Sequence, residues 1–215
     1  MGVTKVWRDE KGRVHIDWEL RGVTVDMLDW WFCNMDKGFV LWHPEEHKGF
    51  YWIRKPRHGN PVGAVQVAPQ VWRDGSLRKP VIMWLDVEDA PQEVREVVIY
   101  DHVVIPAALS LTGEYVEGSK PIGYRVWQWE GVEIGVKGRL TAIPTQTEPS
   151  DMLYNVWAHH AQLEILNLEK FLPQLYTLWS VVKDPEINPQ CCFKVIKKGN
   201  VMKYAFKLDE HGRFS

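Results

Sequence analysis

Two short stretches hold most of the side chains that could bind a metal ion or move a proton: Trp42-His43-Pro44-Glu45-Glu46-His47 and His159-His160-Ala161-Gln162-Leu163-Glu164. In the second, His160 and Glu164 stand four residues apart on an expected helix, so both project from one face and can chelate a divalent ion together. Such a pair needs ligands from elsewhere; without them it is a hydrogen-bonded histidine beside a solvated glutamate. His43 and His47 have the same spacing, but Pro44 between them and Gly49 after them predict a rigid turn rather than a helix interior. One of them could complete a three-ligand site. Imidazole and carboxylate donors suit Zn2+, with Mn2+ or Fe2+ as alternatives, and an incomplete protein shell leaves a position for water. His43 and His102, the latter within IYDHVVIP, are candidate catalytic proton donors because imidazole titrates near neutral pH. Their bland counterparts are a turn-stabilising hydrogen bond and an ordinary strand position. His159, on a different helix face, is expected to meet solvent or the sheet, and Asp86, Glu88 and Asp89 read as a solvated strand end.

The elements that must position these groups follow from periodicity. In TVDMLDWWFCNM, Thr24 or Asp26 offers a helix cap before an apolar stretch, and Gly38 is expected to end the element. From Gly63 to Leu140 the runs AVQVAPQVW, PVIMWLDV, REVVIYDHVVIP, YRVWQWEG and VEIGVKGRL, separated by turn residues, predict an antiparallel meander. Alternation within YRVWQWEG puts Arg125, Trp127 and Trp129 on one face, expected to look into a cavity. The stretch MLYNVWAHHAQLEILNLEKFLPQLYTLW has helical periodicity, with Leu153, Trp157, Leu163, Leu168, Phe171 and Leu175 as candidates for burial. Pro173 is expected to kink or divide it. Two further strands are expected around a Gly199-Asn200 turn.

Composition bounds the rest. A chain of 215 residues with 45% hydrophobic content can bury a core but leaves little room for a second full domain, so residues 1–215 are read as one domain. Against 28 Asp+Glu, 26 Lys+Arg give no basic excess to neutralise phosphates, which argues against a nucleic-acid partner. No run is apolar enough to cross a membrane and the first residues lack a signal-peptide pattern, so a cytoplasmic location is expected. Three cysteines form no disulfide framework and are expected to be reduced thiols. The 12 Trp are suited either to an aromatic core or to the lining of a pocket for a planar ligand.

Three motifs in order along the chain, Leu28-x-Trp30-Trp31-Phe32, Trp42-His43-Pro44-x-x-His47 and His160-x-x-x-Glu164-x-x-x-Leu168-x-x-Phe171-Leu172-Pro173, resemble the phloretin hydrolase and diacetylphloroglucinol hydrolase family. The resemblance implies an α+β, helix-grip (Bet v 1-like) fold, a curved antiparallel sheet wrapped around a long C-terminal helix, with zinc in the cavity. It implies His47, His160 and Glu164 as metal ligands, joined by a further glutamate from the sheet region. The positions expected for that glutamate, Gln66 or Gln70, are not carboxylates; Glu88 could serve instead, a glutamine carbonyl could bind weakly, or water could fill the place. The family has a tyrosine where this chain has Phe39 and a polar residue near Phe50, and these departures imply a less polyphenolic substrate. The implied activity is hydrolysis of a C–C bond next to a ketone in an aryl or cyclic ketone, of retro-Claisen type: a metal-activated water attacks and the carbon leaving group spreads its charge as an enolate. Phe39, Trp42, Phe50, Trp127 and Trp157 are the expected substrate contacts, with Trp30 and Trp31 as further candidate lining. A metal-dependent lyase or cyclase acting on a β-dicarbonyl compound, and a non-enzymatic small-molecule carrier, stay open as alternatives. The expected partner is the small-molecule ketone, without nucleic acid or membrane, and a homodimer is left open.

Overall fold

The computed structural model describes residues 2–199 and 201–205. In chain order the strands are β1 (Val3–Arg8), β2 (Val14–Arg21), β3 (Tyr51–Arg54), β4 (Val65–Val67), β5 (Gln70–Val71), β6 (Leu77–Arg78) and β7 (Val81–Trp84). They continue with β8 (His102–Val104), β9 (Pro106–Ser110), β10 (Gly123–Val132), β11 (Gly135–Ile143), β12 (Val195–Lys198) and β13 (Val201–Tyr204). The helices are α1 (Val25–Cys33), α2 (Phe39–Trp42), α3 (Gln92–Arg95), α4 (Ser150–Met152) and α5 (Ala158–Trp179), with a π-helical turn over Leu153–Trp157 joining the last two. Nine strands form one antiparallel sheet in the order β1-β2-β11-β10-β9-β7-β4-β3, with β8 also on β10. The architecture is α+β: a large antiparallel sheet with a long C-terminal helix, a helix-grip-like arrangement.

The meander expected between Gly63 and Leu140 is present as β4, β7, β9, β10 and β11, side by side in chain order, with the β5–β6 hairpin inserted. One part of it differs. REVVIYDHVVIP begins in α3 and becomes a strand only at His102. The buried Gln128 side chain takes the ladder's place: its Oε1 accepts from Ile99 N at 2.7 Å and Tyr100 N at 3.1 Å, and its Nε2 donates to Val97 O at 2.8 Å. With those backbone groups satisfied by one amide, the segment needs no partner strand. The β1–β2 hairpin, unmarked in the sequence reading, builds one edge of the sheet, and Val14, Ile16, Trp18 and Leu20 of β2 alternate into the core.

α1 starts where Thr24 caps it, the hydroxyl accepting from Met27 N at 3.2 Å. Gly38 does not end the helical stretch: α1 stops at Asn34, and after a 3-10 turn Gly38 precedes α2. α5 runs unbroken through Pro173. Leu168 and Leu172, both fully buried just before the proline, anchor that part of the helix and outweigh the single lost donor. Its buried face, Ala158, Ala161, Ile165, Leu168 and Leu172, packs against β1, β2, α1 and α2. Of the residues expected to be buried, Leu153, Trp157 and Leu168 are, whereas Leu163, Phe171 and Leu175 are half-buried. β12 and β13 pair as expected, although Asn200 of their turn and residues 206–215 lie outside the described residues. The three cysteines are free thiols, Cys33 and Cys191 buried. Among the described residues no helix is long and apolar enough to cross a membrane.

The sheet depends on missing side chains in β11, where a Cβ on Gly135 would stand 2.0 Å from Leu20 O. Gly138 of β11 lies between Trp18 and Trp129 of the flanking strands, and a Cβ there would stand 2.2 Å from both the Trp18 ring and Gln128 O. Gly138→Ala is therefore expected to destabilise the protein by about 1–3 kcal/mol or more through overpacking. Urea denaturation measures it, and an unchanged midpoint would show that both the Trp18 ring and the β10 backbone at Gln128 give way.

Candidate metal centre and cavity

Helix periodicity alone brings His160 and Glu164 to one buried face of α5, where they are 5% and 7% exposed. A third ligand arrives from the turn after α2. Pro44 blocks continuation of that helix, and bonds from Glu46 N and His47 N to His43 O, at 3.2 and 2.8 Å, fold the chain back. Asn167 of α5 fastens the segment by donating to Trp42 O at 3.0 Å. As a result His47 Nε2 and His160 Nε2 lie 3.1 and 3.2 Å from the same oxygen, Glu164 Oε1. Neither nitrogen has the alignment of a hydrogen bond with it, and His47 Nε2 is buried without a hydrogen-bond partner.

The outer nitrogens are committed elsewhere. His47 Nδ1 donates to Phe39 O at 2.8 Å, and His160 Nδ1 donates to Glu46 Oε2 at 2.7 Å. Fixing Nδ1 in this way turns each Nε2 inward and makes it a better electron-pair donor. The donor set fits a divalent ion. Ligand atoms at about 2.0–2.1 Å from a tetrahedral Zn2+ are separated by roughly 3.3 Å, close to the distances found here, and two imidazoles with one carboxylate leave a fourth position open. A second buried group, His43, Glu46 and His160, also has mutually close ligand atoms. Within it, however, Glu46 already accepts from His160, so we read Glu46 as the orienting carboxylate.

Charge in the cluster is strongly coupled. Burial disfavours the charged form of His160, but Glu164 and Glu46 on either side outweigh it and carry the imidazole up to about 9. Burial likewise raises Glu164, and His160 and His47 reverse this, holding the carboxyl down to about 2. Burial, with His160 as its neighbour, pushes His43 below its usual range, so it is neutral at neutral pH.

His160 and Glu164 open onto a cavity of about 120 Å³. Its walls include Phe39, Trp42, Trp127 and Trp157, four of the five expected substrate contacts, together with Trp72 and Trp84. Phe50 is the exception: it lies behind Phe39, ring centroids 5.0 Å apart, and forms part of a shallow surface depression instead. Trp30 and Trp31 are core residues rather than lining. Trp30 donates to Asn188 Oδ1 at 2.7 Å, and Trp31 packs edge-on against Trp42 and Phe171. Arg125 and Trp127 face the cavity as β10 alternation predicts, while Trp129 lies further along among Phe32 and Phe193.

Several expected roles move. Glu88 is not at the metal centre; it is exposed on the loop after β7 and pairs with Lys203 at 2.9 Å, because the strand that would have carried it inward ends at Trp84. Between the two glutamines, Gln70 Oε1 is already taken by Trp72 Nε1 at 2.6 Å, whereas Gln66 Oε1 is buried and free on the cavity wall. His43 does not line the cavity. It stacks on the His160 ring at 4.7 Å and 10°, and its Nδ1 accepts from Glu46 N at 3.2 Å, which makes it a positioning residue. His102 is also off the cavity wall, bound to Asp29 at 3.0 Å. His159 is exposed, as expected. Sequence reasoning passed over Glu46, whose position beside His47 was the available signal, and over Gly123 and Glu148, for which there was none; Arg125 it aimed at the cavity without giving it a role.

No family model and no curated protein matches the chain. Solved structures do share its fold. A protein from Mycobacterium smegmatis matches with TM-score 0.56 and 12% identity over 79% of this chain and 96% of its own. One from Rhodobacter sphaeroides gives 0.51 and 14% over 80% and 99%, and one from Staphylococcus epidermidis 0.50 and 11% over 78% and 93%. At such identities the likeness concerns the fold alone.

Two outcomes are expected. Glu46→Gln should weaken divalent-ion binding about 10–100-fold, measured by competition with a chromophoric chelator; unchanged affinity would remove Glu46 from the site. In the presence of EDTA, the His160–Glu164 contribution to stability is present in full between the unperturbed values of 4.5 and 6.5. The raised His160 loses it as pH climbs through about 9, and the depressed Glu164 loses it as pH falls through about 2. Thermal melts of wild type minus those of His160→Gln should trace this profile.

Proposed function

We propose that the protein is a metal-dependent hydrolase that cleaves a C–C bond next to a ketone in an aryl or cyclic ketone. One observation carries the reading: two buried imidazoles, each with its outer nitrogen occupied, turn their inner nitrogens toward one carboxylate at the wall of an aromatic cavity. Bound there, Zn2+, or Mn2+ or Fe2+ in its place, supplies Lewis acidity that polarises a ketone oxygen and acidifies water. His47 and His160 provide the nitrogen ligands and Glu164 the oxygen, while Glu46 and the Phe39 carbonyl keep both rings from turning. Trp42, Trp127 and Trp157 hold a flat substrate and exclude bulk water. Since His43 and His102 are off the cavity wall, the proton taken up by the leaving carbon would come from the attacking water, and the substrate itself must spread the charge left on that carbon until then, as a 1,3-dicarbonyl or a phenol in its keto form does.

The motifs around Trp30, His47 and His160 support placing this chain beside phloretin hydrolase and diacetylphloroglucinol hydrolase, in a Bet v 1-like helix-grip fold. The chain departs from that family at Gln66, Gln70, Phe39 and Phe50, which favours a substrate with fewer hydroxyls. A simple carrier would have no need of two buried imidazoles oriented in this way.

Elemental analysis of purified protein should find about one Zn2+ or Mn2+ per chain, lost in His160→Ala and Glu164→Ala. With a ketone substrate, the product mass should rise by one water and a carboxylic acid should appear; a lyase or cyclase adds no water. Wild type that takes up no metal, even after reconstitution, would sink the proposal.

A further inference from the structure

The cavity contains an ion pair that the metal centre does not use. Arg125 and Glu148 both line it, joined from Nη2 to Oε1 at 2.8 Å. Glu148 is only 3% exposed, yet its second oxygen, Oε2, is buried without a hydrogen-bond partner. The direction of that oxygen follows from β10. Gly123, Arg125 and Trp127 alternate along the strand and line the cavity together, so a side chain at 123 would project into it. A Cβ on Gly123 would stand 2.4 Å from Glu148 Oε2. The unpaired oxygen therefore occupies the notch that glycine leaves in the wall.

The site is held from several sides. Glu148 N donates to Thr145 Oγ1 at 3.1 Å, Thr145 N donates to Glu148 O at 3.0 Å, and Thr145 Oγ1 donates to Ile122 O at 2.9 Å. Arg125 lies over the Trp157 ring, with Cζ 4.5 Å from its centroid, and donates from Nη1 to Tyr124 O at 3.1 Å. These bonds engage Nη1 and Nη2 once each, out of the five N–H donors of a guanidinium. Donors remain for a ligand beside an acceptor that has no partner.

We propose that Arg125 and Glu148 form a specificity subsite for a neutral ligand group that both donates and accepts a hydrogen bond, a hydroxyl or a carboxamide. An anionic group is disfavoured: Oε1 already answers the Arg125 charge, and Oε2 would face the newcomer as like charge against like charge. A bare hydrocarbon edge would leave Oε2 unpaired, a cost that a donor group removes. Trp157, against which Arg125 rests, stands three residues before His160, so the subsite lies about one helical turn along from the metal ligands. The cavity, about 120 Å³, is of single-ring size, an apolar cavity of about 150 Å³ being one that takes up benzene.

This deepens the proposed reaction and rests on that reading for the choice of an aryl ketone as scaffold. Binding is therefore measured with EDTA present, so that it reports the subsite whether or not metal is used. Calorimetric titration would compare acetophenone, its 3- and 4-hydroxy derivatives, 4-acetylbenzamide and 4-acetylbenzoate. At least one hydroxy or carboxamide compound should bind wild type about tenfold tighter than acetophenone, with the benzoate weakest. Glu148→Gln, checked for folding by its melting temperature, should erase the preference; if that variant does not fold, the wild-type ranking still decides. Equal affinities, tightest binding of the benzoate, or no saturable binding of any compound would each overturn the subsite. Failure to find metal elsewhere would leave this ranking intact, which separates the two ideas.

Discussion

A carboxylate placed among aromatic rings costs several kcal/mol unless nearby charge and hydrogen bonds answer it, and around Glu164 the answer comes from His47 and His160. Their contact joins two distant parts of the chain. His160 and Glu164 belong to the long helix, whereas His47 comes from a turn more than a hundred residues earlier. For the three to meet, α2 must dock on α5, and Asn167 to Trp42 O is one of the bonds that hold it there. The charge arrangement in the cluster also ties ion binding to protons. With His160 carried up to about 9, a divalent ion must displace a proton from its ring at neutral pH.

Around this cluster the aromatic residues act as clamps as well as lining. Phe39 stacks on the His47 ring at 3.8 Å and 6°, and its own carbonyl fixes the Nδ1 of the same histidine. One residue thus sets both the plane of the ring and its rotation. His43 does the equivalent for His160 from one face, with Trp72 nearby at 5.9 Å. A tyrosine at 39 would add a hydroxyl next to a well-ordered stack; phenylalanine keeps the stack and gives up the polar contact.

What the sequence disclosed was whatever short-range periodicity controls. Four-residue spacing on a helix put His160 beside Glu164, a hydroxyl at Thr24 marked the start of α1, and alternation in β10 aimed Arg125 and Trp127 at the cavity. Long-range substitution for local rules stayed hidden. Gln128 supplies with one side chain what a neighbouring strand would have supplied, so the apolar run before His102 is not a strand. Pro173 breaks no helix because buried leucines on the preceding turn hold it in place. Glu88 and His102 have the right chemistry in the wrong place, which only the end of β7 and the position of Asp29 reveal. Glu148 sits within a Pro/Thr-rich loop with no periodicity at all, and its approach to Gly123 depends on the third dimension.

The π-helical turn over Leu153–Trp157 has a consequence of a different kind. Such a turn accommodates one residue more than α-helical winding would, and each residue of an α-helix advances the direction of side chains by about 100°. Removing one residue ahead of Trp157 would leave Trp157, His160 and Glu164 in register with one another but turn Leu153 and the segment before it to a different direction. The ligand-bearing helix, with the Trp157 that meets Arg125, is thus geared independently of the segment that leads into it. A single-codon change upstream of Trp157 would alter how the chain leads into the helix without moving His160 and Glu164.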